Sequence, residues 1–313
     1  MPLRLRTIGR RDLTEWAQAG SRGIPLVAAL EPSVEQFISP ENFNRNHLEQ
    51  SRPGYFPELV RHPSSPFRWP ACTAWSSKEG ILRGLKEIED LQSIMVEVEI
   101  SPEGRGYGDA IGKRKRQESK DSISDWMKVT MPFGLFLDAF IYEKIPWRND
   151  TQRKVIGYLA QQNLFEKSPT LSEQCPILPH TLAGARGSKE QWRRNVWIGG
   201  AGSFTPVHCD PYENVFVQVA GSKRAFLFPP SAAPYLHLFP PHTSQANTSS
   251  IPTEEFLLSG SDRRQFPQLE KALSNPEAVH VTLEAGDALY IPQGWFHCLR
   301  STSISASVNA WFR

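Results

Sequence analysis

TPVHCDPYENVFVQVAGSKRAFLFPP, residues 205–230, decides how this chain is read. His208 and Asp210 stand two apart in a run that alternates in polarity, so a strand would project both side chains from one face. One metal ion could then meet both. Downstream, GDALYIPQGWFHCL at 286–299 supplies a third ligand type in His297. Two imidazoles and a carboxylate suit a first-row divalent ion, and three protein ligands leave positions open for reactants, unlike a structural zinc site closed by four. An HxD pair alone is a weak signal, because such a histidine is more often hydrogen-bonded than metal-bound. Its surroundings strengthen it. NVFVQV and KRAFLF flank Ala220-Gly221, which predicts a β-hairpin with Gln218 opposite Lys223. Alternation puts Asn214, Phe216 and Gln218 on one face beside that lysine. An unpaired ammonium in an interior is costly, so an anion is expected to meet Lys223.

The segment Trp197–Pro230 resembles the JmjC (cupin) Fe(II)/2-oxoglutarate oxygenases, especially the protein-hydroxylase branch with the asparaginyl hydroxylase of the hypoxia-inducible factor and the JmjC arginyl hydroxylases. Further blocks carry the resemblance in the same order: YLAQQNLFEKSPTL at 158–171, FPPHTSQAN at 239–247, FPQLEKA at 266–272, EAGDALYIPQGWFH at 284–297 and SVNAWF at 307–312. The resemblance implies a mainly β fold with flanking helices, in which a double-stranded β-helix (jelly-roll, cupin) core follows an α-containing N-terminal region. It implies Fe(II) bound by His208, Asp210 and His297, with 2-oxoglutarate as cosubstrate and dioxygen as oxidant. Lys223 would grip the distal carboxylate of 2-oxoglutarate with help from the hydroxyls of Thr205 and Tyr158, and Asn214 and Asn309 would stand near its metal-binding end. A compact ammonium and two hydroxyls suit a carboxylate, and amides orient a 2-oxo acid without adding charge. Packing roles stay open for Tyr158 as a core tyrosine, for Asn309 as a partner of backbone groups, and for Trp311, which either lines the substrate entrance or fills the core.

The implied reaction is hydroxylation of a protein side chain, with succinate and carbon dioxide as coproducts. Demethylation of histone lysines by the same chemistry is the alternative, ranked second because the fifteen-residue step from His208 to Lys223 matches the hydroxylase branch. Hydroxylation of a tRNA base ranks third, and a non-catalytic cupin-like binding protein is the reading from a different class. A protein or peptide partner is expected. Nucleic acid is not favoured, because a formal net charge of +2 is too mild to imply it.

At 313 residues and 39% hydrophobic content the chain can bury a substantial core. The division expected is residues 1–125, an N-terminal extension and the start of the fold, and 126–313, the JmjC/cupin catalytic core, packed as one unit. Cysteines at 72, 175, 209 and 298 form no CxxC pair, and Cys209 and Cys298, each beside a candidate ligand, should point to the opposite strand face. A reducing intracellular compartment, cytoplasmic or nuclear, is the corresponding expectation. No apolar run suggests a signal peptide or a membrane span.

Polarity patterns predict helices from about Asp12, after Ser76 or Ser77, and over MPFGLFLDAFIY at 131–142, with a strand over LQSIMVEVEI at 91–100. The stretch 33–65 has no clear pattern. A loop at 101–124 carries the basic run Lys113-Arg114-Lys115-Arg116, which reads as a solvated loop before it reads as a nuclear-localisation or substrate-steering signal. Strands are expected from Asn195 onward, interrupted by a Pro- and Ser-rich insertion at 229–278. In the last strand, Ser305, Ser307, Asn309 and Trp311 share one face and Ile304, Ala306, Val308, Ala310 and Phe312 the other, apolar one. The chain stops at Arg313, short of the helices through which the asparaginyl hydroxylase dimerises, and a monomer is expected.

Overall fold

β-Branched and aromatic residues dominate the alternating runs of the C-terminal half, and those runs pair into sheets. The computed structural model describes residues 27–76, 80–102, 127–145, 155–182, 191–251, 257 and 265–313. Its strands are β1 (Ala28–Ala29), β2 (Gly54–Phe56), β3 (Met95–Pro102), β4 (Met127–Pro132), β5 (Val155–Gln162), β6 (Gln191–Gly199), β7 (Phe204–Cys209), β8 (Glu213–Ala220), β9 (Lys223–Phe228), β10 (Val279–Leu283), β11 (Ala288–Ile291), β12 (Phe296–Ser301) and β13 (Ser305–Phe312). One five-stranded sheet has the order β1-β10-β9-β12-β7, and the other, eight-stranded, has β2-β11-β8-β13-β6-β5-β3-β4. Strands β6 to β13 contribute four to each sheet, the jelly-roll arrangement. The smaller sheet is therefore the one that carries His208, Lys223 and His297, and the larger one carries Tyr158, Asn214 and Asn309.

Three apolar clusters follow from two sheets with two faces each. Between the sheets lie Phe216, Ala225, Leu227, Leu289, Ile291, Trp295 and Leu299. The outer face of the larger sheet is covered by the N-terminal half, including Phe43, Trp75, Leu85, Phe133 and Phe136. The insertion after β9 covers the outer face of the smaller sheet with Leu236, Ile251, Leu269 and Leu273. Cys209 and Cys298 pack in this last cluster, away from the ligand face, as their positions in sequence predict. The strand read in LQSIMVEVEI is β3, and MPFGLFLDAFIY folds as a helical turn, Phe133–Phe136, that widens into a π-helix, Leu137–Ile141.

Two expectations are corrected. β8 and β9 are not a hairpin: they belong to different sheets, and Gly221 and Ser222 cross between them. Gln218 therefore faces β13, where its Oε1 accepts from Ser307, rather than Lys223. The crossing needs Gly221, which has φ +67° and whose Cβ, if present, would stand 2.0 Å from the carbonyl oxygen of Ile304. The helix expected after Ser76 or Ser77 is displaced: Ala71–Ala74 is helical before it, and a 3-10 turn, Arg83–Glu87, follows it. Left-handed backbone at Leu82, φ +64°, sets the start of that later turn. In the patternless stretch 33–65 the chain forms a short helix, Pro40–Phe43, a π turn, Asn44–Leu48, and β2. The expected helix near Asp12 and the basic run Lys113–Arg116 lie outside the described residues.

Candidate metal centre and cosubstrate pocket

β7 is an edge strand, and its pairing with β12 shifts register between His297 and Leu299. His297 pairs with His208 and Leu299 with Thr205, so Pro206 and Val207 together face the single residue Cys298. This bulge has a purpose in the geometry. Thr205 and His208 are three apart, and uninterrupted alternation would send them to opposite faces; the extra residue lets both point inward. Proline is tolerated there because a bulge on an edge strand requires no ladder N–H from it. Its carbonyl is then free to receive His208 Nδ1 at 2.8 Å.

His297 is held the same way, with Nδ1 3.1 Å from the carbonyl of Trp295. Since a carbonyl only accepts, each Nδ1 carries the proton and each Nε2 presents a lone pair. His297 Nε2 lies 3.6 Å from Asp210 Oδ2, and His208 Nε2 lies 4.0 Å from Asp210 Oδ1. The three ligand atoms sit within 4.8 Å of one another, a spread one ion can span. Burial, then the neighbouring His208, pushes the His297 imidazole down to about 4, so it stays neutral and ligand-ready. Asp210 is fixed by the turns on either side of it: its carbonyl accepts from Gly294 N at 3.0 Å, and Gln293 Nε2 donates to Pro211 O at 2.9 Å. Glu213 completes the clamp, accepting from Tyr290 Oη at 2.6 Å and from Gln293 N at 3.0 Å.

Deeper in the barrel, Lys223 is 1% exposed. Its Nζ donates to Tyr158 Oη at 3.4 Å and rests 5.4 Å from the ring centres of Tyr158 and Phe216, and no carboxylate pairs with it among the described residues. Burial alone pushes its ammonium down to about 7. Tyr158 Oη also lies 3.2 Å from Thr205 Oγ1, so the two hydroxyls and the ammonium form one cluster drawn from both sheets. Burial raises the Tyr158 phenol and keeps it protonated. Gly199, paired with Tyr158, makes room for it: a Cβ there would come within 2.8 Å of the tyrosine ring.

The larger sheet contributes amides. Asn309 Nδ2 donates to Asn214 Oδ1 at 3.0 Å, and Asn309 Oδ1 accepts from Trp197 Nε1 at 2.8 Å and Asn195 Nδ2 at 3.2 Å. Asn309 thus bonds side chains, not backbone groups. Trp311 stacks on Tyr212, ring centres 5.6 Å apart, and the Arg313 guanidinium lies 4.6 Å from the other aromatic, Tyr212. All nine residues singled out in the sequence lie on β5, β7, β8, β9, β12 or β13 or the turn after β7. Sequence reasoning did not reach Pro206, Gly199, Glu213, Trp197 or Asn195; only the proline within a strand pattern offered a local signal.

A partly buried face of two imidazoles and a carboxylate, next to an ammonium with no anion among the described residues, fits a divalent metal and a carboxylate ligand. No helix of the described residues is long and apolar enough to cross a membrane. A family model described as a cupin-like domain matches residues 40–313. The chain is 28% identical over 273 residues to "Lysine-specific demethylase 8" of Xenopus tropicalis, an alignment covering 87% of this chain and 50% of the relative. It is 28% identical over 275 residues to "Lysine-specific demethylase JMJ30" of Arabidopsis thaliana, covering 88% and 53%. The chain thus spans about half the length of the curated relatives it matches. The solved structure of E. coli ycfD aligns over 89% of this chain and 54% of its own, with TM-score 0.42 and 16% identity.

Proposed function

The chain belongs to the cupin-like domain family, and from that premise we propose that it is an Fe(II)- and 2-oxoglutarate-dependent oxygenase that oxidises a C–H bond of a protein side chain. The observation that carries the reading is the pairing of an open His208–Asp210–His297 face with a buried Lys223 that has no anion among the described residues. When bound, the ferrous ion and 2-oxoglutarate supply activation of dioxygen, with succinate and carbon dioxide as coproducts.

The protein's part is positioning. His208, Asp210 and His297 hold the metal, and the carbonyls of Pro206 and Trp295 fix both rings. Lys223 takes the distal carboxylate, a charge-assisted bond in a dry site, while Tyr158 and Thr205 add hydroxyl donors. Asn214 and Asn309 orient the other end of the cosubstrate without adding charge. Leu227, Leu289 and Leu299 line the interior with apolar surface that excludes water.

Two fates share the first chemical event. Hydroxylation of a side-chain carbon leaves a stable alcohol, the product the sequence resemblance implies. Hydroxylation of an N-methyl carbon gives a hydroxymethyl amine that releases formaldehyde and leaves the amine one methyl group shorter. Methyl-lysine is the substrate that the names of the relatives back better, since the two described above are lysine-specific demethylases by name. The fifteen-residue step from His208 to Lys223 is what keeps the alcohol as a second reading.

Incubation with Fe(II), 2-oxoglutarate and paired methylated and unmethylated lysine peptides separates the two. Formaldehyde formed in step with succinate, with loss of a methyl group by mass spectrometry, is expected for demethylation; gain of one oxygen atom marks the alcohol. Asp210→Ala should abolish succinate formation. Succinate from that variant at the wild-type rate, with its fold intact, would overturn the proposal.

A further inference from the structure

β6, β13 and β8 are neighbours in the larger sheet, and Asn195 pairs directly with Asn309 across the first two. Trp197 is two residues along β6 from Asn195, so both side chains project toward β13's inward face. The hydrogen bonds among these groups have only one consistent direction. An indole N–H donates and cannot accept, so the Asn309 atom 2.8 Å from Trp197 Nε1 must be the carbonyl oxygen. Asn195 Nδ2 points at the same oxygen. The amide group of Asn309 is thereby turned toward Asn214, where it occupies Oδ1 at 3.0 Å. Asn214 is left with its N–H groups as its only unused polar atoms among the described residues, and it is buried beside the barrel's polar cluster at 4% exposure.

We infer that Trp197 is a positioning residue: its indole N–H fixes the flip of Asn309 and, through Asn309, makes Asn214 present donors rather than an acceptor to an oxygen-rich ligand in the barrel. This inference rests on the reading that the barrel binds 2-oxoglutarate. It gives a role to a partly buried tryptophan on the inward face that packs against the core between the sheets and is not itself one of the candidate ligands. A phenylalanine at 197 would keep most of the packing and remove the donor, leaving Asn309 free to turn and Asn214 free to offer its oxygen.

The test is a double-mutant cycle read by calorimetric titration of 2-oxoglutarate into the full chain loaded with Mn(II). Trp197→Phe is expected to weaken binding about tenfold, the effect of one misdirected hydrogen bond, while the Mn(II) affinity stays unchanged. In the Asn214→Ala background the same substitution should change binding less than about twofold, because the relay has no end to act on. The Trp197 ring also lies 6.1 Å from the Tyr158 ring, and an effect through that packing would persist in the Asn214→Ala background. Equal losses in both backgrounds, or no loss in either, would overturn the relay. If Trp197→Phe does not fold, Asn195→Ala removes the second donor and should give about a threefold loss that likewise vanishes with Asn214→Ala. Should the wild type bind no 2-oxoglutarate, the proposed function fails by itself. The relay is then decided by ¹⁵N spectra of the free protein: Trp197→Phe must move the Asn214 side-chain amide signals, and must not when residue 309 is Ala.

Discussion

Lys223 is the residue with the largest conflict between stability and the proposed role. Its ammonium is fully desolvated in the free protein and its folded pKa, about 7, lies below the ordinary lysine value of 10.5. The sign follows directly: the folded state binds this proton less tightly than the unfolded chain does, so the penalty is complete below about pH 7 and fades as pH rises from there toward 10.5. Lys223→Met fills similar space without the charge. It is expected to raise the melting temperature of the ligand-free protein by several degrees at pH 7, with a smaller gain at pH 9, and to remove 2-oxoglutarate binding. A variant that melts lower than the wild type would show that the ammonium is already satisfied. This lysine was legible in sequence because a charge in an apolar alternating strand needs an explanation wherever the strand goes. Trp197 and Asn195 were not, because their meaning lies in the pairing of β6 with β13, more than a hundred residues apart in the chain.

At the scale of elements, the crossings between sheets are where pattern reading fails. A two-residue link containing glycine between apolar strands has the same local chemistry whether it closes a hairpin or turns a corner. What distinguishes them is the partner: the β8–β9 link packs on the β12–β13 link, with Ser222 N donating to Ser303 Oγ at 2.9 Å and Thr302 N to Ser222 O at 3.0 Å. Gly221→Ala places a methyl group against the Ile304 carbonyl and on left-handed backbone, so it should cost about 3 kcal/mol. Thermal unfolding of this variant within a degree of the wild type would show that the two links part easily. Most of the strands and the outward cysteines were readable from alternation, and the HxD spacing with His297 pointed to a cluster the structure does bring together, although Asp210 reaches it from the turn after β7 and not from the strand itself. The bulge at Pro206 was not, since one extra residue reverses every face beyond it and only the pairing with β12 reveals it.

For the whole molecule, the larger sheet binds the two halves of the chain together. β3 lies between β5 and β4, β2 extends the edge at β11, and Asp287 in the turn before β11 accepts from Tyr55 Oη at 2.9 Å and Glu58 N at 2.8 Å. A fragment of residues 126–313 would lose β3 and expose the apolar face that Phe43, Trp75 and Leu85 cover. It is expected to bind hydrophobic dyes and to lack a cooperative melt; a sharp transition like that of the full chain would show that the core folds alone. One property of the intact molecule follows from the lysine at the barrel's heart. The formal net charge of +2 counts Lys223 as fully charged, yet burial loosens its hold on that proton. An anion that settles on the ammonium tightens that hold, so capture draws protons from solution, and more of them as pH rises above neutral. The heat of capture should therefore change with the ionisation enthalpy of the buffer, and alkaline conditions should make the barrel progressively blind to its cosubstrate.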